Sequence, residues 1–141
     1  MGTRTSVDLP GFRHANPIPA ASRIGPFVAT GAITGRDPVT GEMTPDADRQ
    51  FAHVFAHVRT LMAELGGTTD DILKMTFHLA DPDNREALNR EWLAIFPDPA
   101  SRPARQAIAA RLDRGAVVHC DLLAVLPVPG DDGPSPEEAR R

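Results

Sequence analysis

Apolar and polar positions along the chain follow two rhythms. Between residues 45 and 65, Phe51, Val54, Phe55, Val58, Leu61, Met62 and Leu65 recur at steps of three and four, drawing one apolar stripe along a helix. Thr44 is placed to cap that helix, Pro45 suits its first turn, and Asp46 and Asp48 complement the positive end of its dipole. Gly66-Gly67 ends it. A second helical stripe starts near Asp83 and gathers Leu88, Trp92, Ile95 and Phe96 before Pro97 stops it.

The other rhythm is strict alternation. From Ile72 to Ala80 the residues Leu73, Met75, Phe77 and Leu79 predict one face, and Lys74, Thr76 and His78 the other, as in a half-buried strand. Phe27 to Thr30 read as a short strand entering Gly31, continued by Ala32 to Gly35, with a turn at Asp37 to Glu42. Arg105 to Arg111 and Val117 to Leu126 predict a closing hairpin that turns at Asp113-Arg114-Gly115. The order is strand, strand, helix, strand, helix, strand, strand. Two helices with one apolar face each predict an α+β layer sandwich, a mostly antiparallel or mixed sheet covered on one side. One domain over residues 16–127 is expected, after an extended lead-in at 1–15 and before a mobile tail at 128–141.

Composition narrows the function. The 141 residues carry a net charge of -4, with 5% aromatics and no tyrosine, so the basic, aromatic-studded surface of a nucleic-acid binder is missing. No apolar run reaches the roughly 20 residues of a membrane helix, and the N-terminus has no apolar signal core. Lys74 is the only lysine and follows no glycine-rich loop. The lone Cys120 excludes an internal disulfide and a cysteine-built zinc cluster, and suits a reducing cytoplasm.

Three groups of residues invite chemistry. His53 and His57 stand four apart on the long helix, a zinc-binding spacing, but Val54 occupies the place of the metalloprotease glutamate. Two solvent-facing or interface histidines are the expected outcome. Cys120 stands between His119 and Asp121, whose side chains alternate away from it; with only His14 or His78 left as activators, a buried inert thiol is expected. Arg105 enters a strand beside the small Ala107 and Ala109, which leaves room for its guanidinium fork to take a carboxylate. In a hairpin its same-face partners include His119 and Asp121. The structural alternative is an ion pair from Arg105 to Asp121 or to a helix acid.

Several segments taken in order resemble the reactive-intermediate deaminase (Rid, YjgF-like) family. They are Phe27-Val-Ala-Thr-Gly-Ala-Ile, Asp37-Pro-Val-Thr-Gly-Glu, the helix end at Gly66-Gly67, Asp70-Asp-Ile-Leu-Lys-Met-Thr-Phe, Ala87-Leu-Asn-Arg-Glu-Trp and Arg102-Pro-Ala-Arg-Gln-Ala. The resemblance runs from about Asn16 to Leu126. It implies a chorismate-mutase-like fold and a homotrimer with ligand clefts between subunits. It further implies hydrolytic deamination of a small imine or enamine acid, a 2-imino acid or an aminomuconate-like acid, with no metal or organic cofactor. Arg105 then stands where the family binds the substrate carboxylate, and Thr30, Gly31, Asn89 and Trp92 where it lines the cleft. This chain departs from the pattern at several places. His119 stands where an acidic residue usually faces the arginine, Ile18 where a tyrosine is common, Trp92 where the aromatic is smaller, and Ala107 where cysteine is frequent. A histidine at position 119 can give or take a proton near neutrality, or donate a hydrogen bond to a second anionic group. The alternatives are a non-enzymatic trimer that binds a metabolite or partner, and an isomerase acting on an unsaturated acid. A ribonuclease activity has no support in so acidic and aromatic-poor a chain.

Overall fold

The computed structural model describes residues 3–12 and 15–127. Its strands are β1 (Thr5–Val7), β2 (Ala21–Ile24), β3 (Phe27–Thr30), β4 (Ile33–Thr34), β5 (Ile72–Leu79), β6 (Ala104–Ala109) and β7 (Val118–Val125). Its helices are α1 (Ala47–Glu64) and α2 (Arg85–Ile95). The strands form one mixed sheet in the order β1-β2-β3-β7-β5-β6, and β4 also pairs with β7. Residues of the expected lead-in thus supply an edge strand, while the expected tail at 128–141 lies outside the described residues.

The alternation in β5 and β7 builds the core. Met75, Phe77 and Leu79 from β5 and Val118, Cys120 and Leu122 from β7 face the stripe of α1, where Phe51, Val54, Val58 and Leu61 are buried. Phe77 stacks on Phe55 and meets Trp92 of α2 edge-on. Leu73 does not share this face as its alternation predicts. A register shift between Ile72 and Lys74 turns Ile72 inward and leaves Leu73 61% exposed.

The expected hairpin of the last two strands does not form. The segment from β5 through α2 to β6 is a crossover that returns the chain parallel to β5, whereas β7 lies antiparallel on the other side of β5. β5 therefore separates β6 from β7.

Helix α1 starts at Ala47, two residues later than the expected start at Pro45. Its cap is Asp46, whose carboxylate accepts from Arg49 N at 3.3 Å, while Thr44 accepts from Asp46 N. It ends as expected at Gly66, which takes φ +83°. The fully buried Gln50 ties the helix to two distant loops. Its Nε2 donates to Thr44 O (2.7 Å) and Gly115 O (2.9 Å), and its Oε1 accepts from Val117 N (2.8 Å). No described helix is long and apolar enough to cross a membrane.

Candidate functional site

Arg105 is the second residue of the edge strand β6, opposite Met75 of β5. That register sends its side chain to the helix-covered face, where its Cζ lies 5.0 Å from the centre of the Trp92 ring. Trp92 is itself fixed by edge contacts with Phe77 and Phe96. It lies beneath the guanidinium, buried, and acts as a shelf. Among the described residues Arg105 makes no ion pair and no side-chain hydrogen bond. The alternative of an Arg105–Asp121 ion pair fails for a geometric reason: Asp121 is opposite Thr76, on the other face of the sheet. Partial burial lowers the guanidinium from its ordinary value, and nearby Arg85 adds to this. It stays charged at neutral pH. Arg85, Asn89 and Trp92 are four and then three residues apart on α2, so they share one side of that helix. Asn89 is exposed there.

His119 occupies the opposite face. On β7 it is flanked by His78 of β5 and Thr34 of β4. The His78 and His119 rings meet edge to face at 4.8 Å. Burial lowers the pKa of His119 from its ordinary value, His78 lowers it further, and Asp121 opposes both. Thr30 and Gly31 lie close by. Ladder pairs Ala29–Leu123 and Ile33–Cys120 leave three residues on one strand against two on β7, which is a bulge. Thr30 Oγ1 closes the gap by accepting from Leu122 N at 3.0 Å, and Gly31 N donates to Ala20 O.

The candidate residues therefore form two groups. Arg105, Trp92 and Asn89 lie at the β6–α2 edge; His119 lies on the uncovered face, and Thr30 and Gly31 lie at the bulge between β3 and β4. Within one chain, Arg105 and His119 are separated by about 10 Å across the sheet and about 10 Å along it, and their side chains leave from opposite faces. The same-face relation expected from a hairpin is overturned because β5 intervenes. Sequence reasoning also missed Arg85, whose signal was its spacing from Asn89 and Trp92. It missed the pairing of His78 with His119, which needs the β5–β7 register.

The remaining candidates have structural roles. His53 and His57 are neither solvent-facing nor arranged around a common ligand. His53 Nδ1 lies 3.1 Å from Gly35 O and His57 Nε2 2.7 Å from Arg36 O, so each ring donates to a loop carbonyl. Gly35 permits this approach, since a Cβ there would sit 2.7 Å from Gln50 O. Cys120 is fully buried on the core face, and burial pushes its thiol far above the ordinary range. His78 faces the other way, and His14 lies outside the described residues.

The uncovered face is apolar around its polar centre. Phe27 is 62% exposed and Leu123 46%, and with Ile24, Leu73 and Val125 they line a depression of about 280 Å³.

Residues 13–126 match the family model described as endoribonuclease L-PSP, the model of the YjgF/Rid proteins. The chain belongs to this family. A RutC family protein of Pyrococcus abyssi is 26% identical over 110 residues, covering 77% of this chain and 85% of that one. The 2-iminobutanoate/2-iminopropanoate deaminase of Salmonella typhimurium is 27% identical over 104 residues, covering 72% and 81%. Among solved structures, yeast Mmf1 aligns with a TM-score of 0.79 at 22% identity, over 89% of this chain and all of that one. The RidA protein of a Psychrobacter species aligns with a TM-score of 0.78 at 23% identity. The α+β fold with a mixed sheet and two helices is thus that of the Rid proteins.

Proposed function

We propose that this Rid-family chain is a cytoplasmic hydrolytic deaminase of a small imine or enamine carboxylic acid, working as a homotrimer with clefts between subunits. The observation that carries the reading is Arg105: a guanidinium held on an aromatic shelf with no acidic partner among the described residues. A charge kept in that condition is ready for an external carboxylate, which its fork binds at two oxygens. The separation of the two groups of residues supports a composite site. Arg105 with Asn89 from one copy, and His119 with the Thr30–Gly31 bulge from another, would together enclose one small acid.

In that cleft Arg105 binds the carboxylate and fixes the imine carbon. His119, kept neutral by its surroundings, takes a proton from water as the new C–O bond forms. That proton passes to the nitrogen to give the carbinolamine. The imidazole then takes the hydroxyl proton and delivers it to the same nitrogen as the C–N bond breaks, so ammonia leaves and neutral His119 is restored. The products are a keto acid and ammonia. Arg85 near Arg105 favours, within this class, substrates with a second anionic group, such as an aminomuconate-like acid. A second reading, binding of a carboxylate without turnover, is favoured by the imidazole at the place of the family's usual acid.

The test is ammonia release from freshly generated 2-imino acids and from an aminomuconate-type acid, with wild type and Arg105→Ala. Release above the uncatalysed rate by wild type alone is expected. Carboxylate binding that depends on Arg105 without any release would move the assignment to the second reading, and full activity in Arg105→Ala would remove Arg105 from the site.

A further inference from the structure

We propose that His78 is a positioning residue for His119: the two imidazoles form one acid–base unit that carries at most one positive charge. This rests on the deaminase reading only for its consequence in catalysis; the unit itself is a matter of geometry. The β5–β7 register puts the two histidines directly opposite each other, and their rings are in contact at 4.8 Å and 73°. At that separation, in a partly buried setting, two charged rings repel strongly. The second observation is that His78 Nδ1 is buried and has no hydrogen-bond partner. A proton placed on that nitrogen would be a buried donor with nothing to receive it, an arrangement that proteins avoid. A second charge on the pair would therefore add a buried, unpaired donor at His78 Nδ1 to the repulsion between the rings.

The surroundings offer the pair little to offset a second charge. From β7 the facing acid is Asp121, two residues along the strand; from β5 the other charged residue of that face is Lys74, two pairs away beyond Thr76; from β4 the neighbour is the neutral Thr34. From β6 the residue paired with His78 is the apolar Ile108, and no acid is paired with either ring in the ladder. The consequence is that His119 stays available as a base at neutral pH because its neighbour contests the charge. The pair titrates as a unit, and its apparent values belong to both rings.

The experiment is a pH titration of the histidine ring signals by NMR in wild type and in His78→Gln, which keeps polarity and removes the ring charge. His119 is expected to titrate at higher pH in His78→Gln, and the acidic limb of the kcat/KM profile is expected to move to higher pH with it. Superimposable His119 curves in the two proteins would overturn the proposal. Should His78→Gln fail to fold, His78→Asn provides the same comparison. If wild type releases no ammonia at any pH, the deaminase reading falls, while the ring titration still decides whether the pair exists.

Discussion

The two faces of the sheet are made from alternate residues of the same strands, yet they are finished differently. On one face Met75, Phe77, Val118 and Leu122 disappear beneath α1 and α2. On the other, His78, His119, Thr76 and Asp121 form a polar centre, bordered by the exposed Phe27, Leu73, Leu123 and Val125. An antiparallel face built for water usually alternates to polar residues throughout. This one does so only at its middle. The chain supplies a cover for one face and leaves an apolar border on the other, which is the expected condition of a surface met by further copies. It also keeps the imidazole and the guanidinium apart within one chain, on opposite faces of the sheet with β5 between them.

The comparison breaks most directly by removing a large ring from each face. Phe77 is wholly buried between Phe55 and Trp92, so Phe77→Ala removes contacts on both sides and is expected to cost about 4 kcal/mol. Chemical denaturation would show it as a large fall in midpoint. Phe27→Ala on the open face should cost the isolated chain less than about 0.5 kcal/mol. Equal losses at the two positions would mean that the faces are energetically alike and that the open face needs no cover.

Gln50 is next in size. Three backbone groups, on Thr44, Gly115 and Val117, depend on its amide. Gln50→Leu leaves them unpaired around a buried site, at a cost of about 3 kcal/mol. A denaturation midpoint within error of wild type would mean that those groups find other partners.

Gln50 also shows where reading the chain by pattern stops. Its position on the apolar side of α1 was visible, but periodicity treats a polar residue there as an interruption. Only the meeting of residues 44, 115 and 117 gives it partners. The helices, their stripes and the Gly66 stop were legible because helix periodicity is local. The β6–β7 hairpin was misread because Asp113-Arg114-Gly115 has good turn chemistry, and nothing local reports that α2 has already carried the chain to the far side of β5. The site suffered from the same error. Arg105 was singled out from its own neighbours, but its relation to His119 depended on strand order, and parity counted through a false hairpin put both on one face.

A smaller effect on the fold, with a large effect on assembly, is expected from charge on the open face. Phe27→Asp leaves the helix-covered core untouched, so its circular dichroism and intrinsic unfolding should stay near wild type. Sedimentation should show a shift from oligomer to monomer, and deaminase activity should fall with it, because the two groups of residues no longer meet. A variant that remains monomeric and fully active would dissolve the composite site.

The smallest expected effect is a pH dependence of stability, and it sharpens the contrast between the faces. Burial and His78 depress the His119 pKa below its ordinary 6.5. As pH falls, the unfolded chain therefore takes up this proton before the folded chain does, and uptake by the unfolded state lowers stability. The contribution is complete above pH 6.5 and is lost as pH falls through the depressed folded value. Asp37 on the surface loop has the same sign in another window: backbone N–H donors at Val39 and Thr40 hold its carboxylate below 3.8, so its share is lost only in stronger acid. Thermal melts between about pH 7 and 5 isolate the histidine, and His119→Asn should flatten that part of the curve. Covering the open face would bury His119 further and favour its neutral form, so acid should weaken association as well as folding. The pH dependence of the melting temperature should then steepen as protein concentration rises. A slope that is the same at every concentration would mean that His119 keeps its surroundings in the assembled protein, and that the face carrying it is not the one that other copies cover.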